Sequence, residues 1–160
     1  MEERMKRTIV ILGIGNLLMS DDGVGVHAAQ SLALNPPPGT EVIDAGTDIL
    51  STLPYLEKAT HALIIDAVRA GGKPGTTYNF AEDELSHRLD TPTAHAVNLF
   101  ASRHLLPSGT PWPVIRVLGI EPASLHYGMT LSPTVAAKLP EIEERCREIA
   151  AAWNNETLHP

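Results

Sequence analysis

The chain has 160 residues, a net charge of -7, 43% hydrophobic and 19% charged residues, a composition that suits one folded domain and excludes disordered and collagen-like chains. Basic residues are outnumbered twelve to nineteen, and none cluster beyond the Lys6-Arg7 pair, so a nucleic-acid partner is not expected. The single cysteine, Cys146, excludes an internal disulfide and a cysteine-rich zinc site.

Three short β-branched runs come first: residues 8–12, 41–43 and 61–65, each followed by glycine or aspartate. Runs that are apolar throughout suit strands covered on both faces, as in a parallel sheet between helices. A first helix is expected from Gly23, carrying Val24, Ala28 and Leu32, until the proline run at 36–38 forbids it. A second is expected after Thr47 or Asp48 as cap, with Ile49, Leu53 and Leu56 inward. This alternation is an α/β signature.

Only residues 67–75 separate the third strand from a fourth at 76–80, too few for a parallel crossover, so the fourth is expected to run antiparallel. Thr91-Pro92 reads as cap and first residue of a helix reaching about Leu106, with Ala94, Val97, Ala101 and Leu105 on one stripe. A fifth strand follows at 114–118. Ser132-Pro133 opens a last helix with Val135, Leu139, Ile142, Cys146, Ile149 and Trp153 inward, which Pro140 should kink or restart. The expectation is a three-layer α/β sandwich: a twisted, five-stranded, mostly parallel sheet with one antiparallel strand and helices on both faces. It forms a single domain over 1–160, with a core at about 8–153 and a frayed tail at 154–160. No apolar run reaches membrane-spanning length, and the charged N-terminus precedes too short an apolar run for a signal peptide, so cytoplasm is expected.

Ligands of open α/β sheets bind beyond the carboxyl ends of the strands. The first three strands deliver acids there: Asp21 and Asp22, then Asp44, then Asp66. A lone aspartate at such a position is usually a cap or turn residue, whereas clustered carboxylates repel one another unless a cation neutralises them. Gly13 and Gly15 would satisfy the start of a dinucleotide fingerprint, but Leu18 replaces its third glycine and two acids sit where a pyrophosphate needs donors, so no nucleotide cofactor is expected. The better reading is a tight turn shaped by Gly13, Gly15 and Gly23, pinned by Asn16, with Asp22 projecting into the crevice. Among seven histidines, His95 stands out because a helix opening at Thr91 aims it at that crevice; His104, nine residues later, is the weaker candidate. Two carboxylates and one imidazole suit nickel, zinc, manganese or iron with open positions left over. Cys146 lies on an apolar seam and reads as a buried structural thiol. There is no Gly-x-Ser-x-Gly elbow and no His-Glu-x-x-His.

The blocks Gly13-Ile-Gly-Asn-Leu-Leu-Met-Ser-Asp-Asp-Gly-Val-Gly25, Ile43-Asp-Ala-Gly-Thr47, Ile64-Ile-Asp-Ala67 with Pro74-Gly75, the helix-opening His95, and Gly119-Ile-Glu-Pro122 with Leu131-Ser-Pro133 resemble the nickel-iron hydrogenase maturation endopeptidases, in order and spacing, over residues 8 to about 150. The resemblance implies a protease, aspartic-type or metal-dependent, that removes a C-terminal extension from the hydrogenase large-subunit precursor after nickel insertion, cutting after a His or Arg. It implies that Asp22, Asp66 and His95 bind nickel carried by the substrate. Asp44 is the position linked to substrate recognition or cleavage, and the attacking water would be activated by the metal or by an acid such as Asp44. A monomer is expected. The competing readings are a nonenzymatic nickel carrier using the same triad and a different peptidase on a related scaffold.

Overall fold

The computed structural model describes residues 7–88 and 93–156. Five strands form one sheet: β1 (Ile9–Ile14), β2 (Thr40–Gly46), β3 (His61–Ala67), β4 (Thr77–Ala81) and β5 (Val114–Ile120). Their order is β2-β1-β3-β5-β4, with β4 antiparallel to β5 and every other pairing parallel. The antiparallel direction of the fourth strand agrees with its short connection, but the chain steps past a gap that β5 later fills. Helices α1 (Val24–Leu32), α2 (Leu53–Lys58), α3 (Glu82–Arg88), α4 (Ala94–Ala101), α5 (Pro133–Ala136) and α6 (Leu139–Asn155) complete the described elements.

Strand alternation sends successive side chains to opposite faces. Leu12, Ile14, Ile64 and Val117 point to one face and are buried with Leu56, Phe80, Leu85, Ala96 and Leu99, a core roofed by α2, α3 and α4. Ile9, Ile11, Leu63, Ile65 and Leu118 point to the other and meet Val24, Leu32, Val135, Ile142, Cys146 and Trp153 of α1, α5 and α6. Each large apolar side chain so buried contributes on the order of 1.5–3 kcal/mol before the cost of ordering the chain. Together the two faces make the three-layer α/β sandwich that the strand pattern predicts. β2 departs from it, because an edge strand is covered less completely and only Ala45 is fully buried.

The expected stripe on α4 is wrong. Ala94, Val97, Ala101 and Leu105 face solvent, whereas Ala96 and Leu99 are buried. The helix has two weak apolar stripes, and the one carrying Leu99 and Phe100 offers more area to the sheet. The expected cap, Thr91-Pro92, lies outside the described residues; the observed cap is Thr93, whose side chain accepts the Ala96 N–H. The last helix restarts as expected: α5 is capped by Ser132, and Pro140 lies in the first turn of α6, where its missing N–H costs nothing. α6 extends through Asn155, and Asn154 donates to the Pro38 carbonyl at 3.0 Å, so the frayed tail does not begin at 154. Residues 157–160 lie outside the described residues.

Candidate functional site

Three connections converge beyond the carboxyl ends of β1 and β3. The β1 to α1 turn is unusually tight. Gly15 has a φ of 136°, and a Cβ there would lie 1.9 Å from the Asp22 carbonyl oxygen. Gly13 and Gly25 let α1 settle directly on the strands: a Cβ on Gly13 would meet the Gly25 oxygen at 2.2 Å, and one on Gly25 the Ile65 oxygen at 2.0 Å. Gly23 is less constrained: a Cβ there would lie 3.1 Å from Leu17 Cα, a tight contact rather than a clash. Asn16 Oδ1 accepts the Leu18 N–H at 2.9 Å, and the Asn16 N–H donates to Asp22 Oδ2 at 2.9 Å.

Asp22, Asp66 and His95 offer one ligand atom each, all within 4.8 Å of one another. His95 Nε2 lies 3.1 Å from Asp22 Oδ2, with about a fifth of either side chain exposed. Asp66 is fully buried at the end of β3, on the face roofed by α4. The Thr93 hydroxyl is 2.6 Å from its Oδ2, while its Oδ1 is buried with no hydrogen-bond partner.

Electrostatics divides the three groups. Burial pushes the Asp66 carboxyl up to about 7, against the Thr93 hydrogen bond and the His95 charge, with the Asp22 charge adding to the rise. Burial also works to raise Asp22, but the hydrogen bonds from His95 and the Asn16 amide, with the imidazolium charge, hold it below its ordinary value. The Asp22 hydrogen bond raises His95, burial opposes it, and the charges of Asp66 and Asp22 add to the rise. A pair of carboxylates and an imidazole around a buried, unpartnered oxygen suits a divalent cation of borderline softness, because an unmet acceptor in the interior is otherwise costly.

The other expected residues fall elsewhere. Asp44 is exposed on β2 and is not part of this cluster: its Oδ2 accepts from Gln30 Nε2 of α1 at 2.9 Å. It pairs with Gly13 in the β1–β2 register, between inward positions of the opposite parity, so it faces the α1 side of the sheet while Asp66 faces the α4 side. His104 is exposed, nine residues beyond His95. Cys146 is buried, and its burial pushes the thiol up to about 12, which leaves it an inert packing residue.

Three contributors were not legible as such. Thr93 competes in the sequence with Thr91, and nothing local distinguishes them. Asp21, read only as a further acid, is fully buried and accepts from Ala123 N (2.9 Å), Ser124 N (3.0 Å), Ser132 N (2.7 Å) and Ser132 Oγ (2.8 Å), so it holds the 121–132 segment against the turn. Glu121 is buried near the end of β5 and accepts from Ala70 N at 2.8 Å and Tyr78 OH at 3.0 Å, fixing the β3–β4 connection. Among the described residues no helix is long and apolar enough to cross a membrane.

A family model described as hydrogenase maturation protease matches residues 26–149. The hydrogenase expression/formation protein HupD of Rhodobacter capsulatus is 31% identical over 157 residues, covering 92% of this chain and 73% of that protein. Among solved structures, the hydrogenase maturating endopeptidase HybD of E. coli superposes with a TM-score of 0.79 at 26% identity, over 91% of this chain and 93% of that one. The [NiFe] hydrogenase maturation protease HybD of Thermococcus kodakarensis gives 0.76 at 30%, over 89% and 99%. The family match takes in Asp66 and His95 and begins just after Asp22, and the chain belongs to the hydrogenase maturation protease family.

Proposed function

We propose that this protease removes the C-terminal extension of a nickel-iron hydrogenase large-subunit precursor, and that Asp22, Asp66 and His95 read the nickel the precursor carries. The observation that carries the reading is the cluster itself: three donors within 4.8 Å, one of them a buried carboxylate with an unpartnered oxygen. The nickel belongs to the substrate, and the chain contributes an incomplete ligand set that the precursor's own ligands complete. Cleavage then waits for metal loading, because without the cation the two acids and the imidazole have nothing to grip.

Each residue has a task in that scheme. Asp22, held by the Asn16 amide, and His95, on the first turn of α4, approach the precursor's metal from two sides. Asp66 closes the site from the sheet. A cation held by these three residues would supply Lewis acidity for peptide hydrolysis. Asp44 stands apart on the α1 side, exposed and steadied by Gln30, where its carboxylate suits the basic residue after which the cut falls. Asp22 is bonded to His95 and Asp66 to Thr93, so neither carboxyl shares a proton with another acid; this supports metal-assisted hydrolysis over an aspartic dyad.

The test is mass spectrometry of nickel-loaded and nickel-free precursor incubated with the purified protein. Loss of the extension from the loaded form alone is expected. Equal rates on both would remove the gating role, and an unchanged precursor with tight nickel uptake would identify a carrier instead.

A further inference from the structure

We infer that Thr93 is the positioning residue that makes Asp66 a metal ligand and sets it against His95. This rests on reading the Asp22, Asp66 and His95 cluster as the nickel-facing site. A threonine hydroxyl has one proton to donate. Ala96 N–H donates to Thr93 Oγ1 at 3.1 Å, capping α4, so the hydroxyl proton is free to go to Asp66 Oδ2, 2.6 Å away. One oxygen of Asp66 is thereby committed. The other, Oδ1, is buried with no partner of good hydrogen-bond geometry; the Ala67 amide makes only a weak backbone contact to the carboxylate, the smallest of the influences on its proton affinity.

The molecule contains its own control. Ser132 repeats the arrangement at the start of α5: its hydroxyl accepts the Val135 N–H at 3.4 Å and donates to the buried Asp21 at 2.8 Å. There the second carboxylate oxygen is also met, by Ser132 N at 2.7 Å. Asp21 is a closed structural carboxylate. Asp66 has the same anchor and the same burial, but one oxygen is left open, and it lies in the only group of three or more potential metal ligands among the described residues. The difference between the two sites is the signature of a ligand held ready.

The position of Thr93 adds a second effect. It is the cap of the helix whose second residue is His95, so one hydroxyl fixes both the carboxylate and the origin of the helix that presents the imidazole. Removing partners that orient metal ligands costs about 10- to 100-fold in metal affinity. Loss of the cap alone destabilises the helix far less with glycine than with alanine.

The experiment titrates Ni2+ alone into the metal-free wild type, Thr93→Val, Thr93→Ser, Thr93→Gly and Asp66→Ala, with a thermal melt of each. Wild type and Thr93→Ser are expected to bind one ion with Kd values within threefold of each other. Thr93→Val and Thr93→Gly should bind about 10- to 100-fold more weakly, with Thr93→Gly melting close to wild type even if the valine variant folds poorly. Asp66→Ala should bind none. Wild-type affinity in a folded Thr93→Gly, with Asp66→Ala still dead, would overturn the inference and leave the cluster's role intact. Wild-type affinity in Asp66→Ala would overturn both. A wild type that takes up no Ni2+ would also overturn the inference, since a ligand set in advance by Thr93 is available before any precursor arrives.

Discussion

Asp21 and Asp22 are neighbours in the chain and serve opposite ends of the same turn. The Asp21 carboxylate is closed by four donors from residues 123–132, while Asp22 turns toward His95 and keeps about a fifth of its side chain exposed. The turn is further tied to that segment by Ser20 N to the Gly128 carbonyl at 2.8 Å and Ser20 Oγ to the His126 carbonyl at 2.7 Å. Ser20 holds a φ of 51°, a left-handed conformation that these two bonds help to pay for.

Two substitutions should therefore separate fold from function. Asp21→Ala strands the amides of Ala123, Ser124 and Ser132 and is expected to cost about 3 kcal/mol or more in urea denaturation. Asp22→Ala leaves those contacts intact; its midpoint should stay within about 1 kcal/mol of wild type while processing is lost. Similar denaturation midpoints for the two variants would refute the division.

Asp66 predicts a conflict between stability and function. Its folded pKa, about 7, stands above the ordinary 3.8 of a free aspartate, so folding favours the protonated acid. That contribution is complete below about pH 4 and is lost as pH rises through about 7. Asp66→Asn keeps an acceptor for Thr93 and removes the buried charge. In metal-free protein it should be more stable than wild type at pH 8, by about 4 kcal/mol, with the gap closing toward pH 4. A pH-independent gap would contradict the assignment.

His61, buried at the opposite end of the sheet, titrates the other way. Its ring lies 5.0 Å from Trp153, and burial, aided by the Arg7 charge and opposed by Glu156, lowers its pKa from 6.5. The unfolded chain binds the proton first, so this stability is present above pH 6.5 and is lost as pH falls through the lower folded value. Replacing His61 with Phe should flatten the acid limb of the stability profile below pH 6.5, leaving the limb near pH 7 that Asp66 controls. An unchanged acid limb would exclude His61 as its source.

Gly25→Ala tests the seat of α1. The added carbon meets the Ile65 and Ile14 oxygens at 2.0 and 2.5 Å, both backbone, so the helix must lift from β1 and β3. A loss of about 3 kcal/mol or more is expected. Near-neutral denaturation behaviour would mean that α1 has slack the packing does not show.

How much of this was legible follows from where the signal resides. Strands β1 and β3 and the split between α5 and α6 came from local pattern, because glycine, proline and β-branched runs act on neighbouring backbone. Asp22, Asp66 and His95 are legible because strand ends and a helix start place side chains predictably. The inward face of α4 is not legible because alanines mark either face equally, and the decision rests with Leu99 against a sheet far away in sequence. Thr93 and Asp21 acquire their roles from partners 27 and more than 100 residues away, which no window along the chain contains.

The strand order has a consequence for when the site comes into being. Among the described residues β4 pairs with β5 alone, and Asp66 lies opposite Gly119 of β5 in the register. During synthesis the first hundred residues emerge with a slot in the sheet beside the aspartate, and β4 waits with an open edge. Only when residues 114–120 enter that slot does the wall beside Asp66 close. The wall of the Asp22, Asp66 and His95 cluster is thus completed by a late-arriving strand of its own chain.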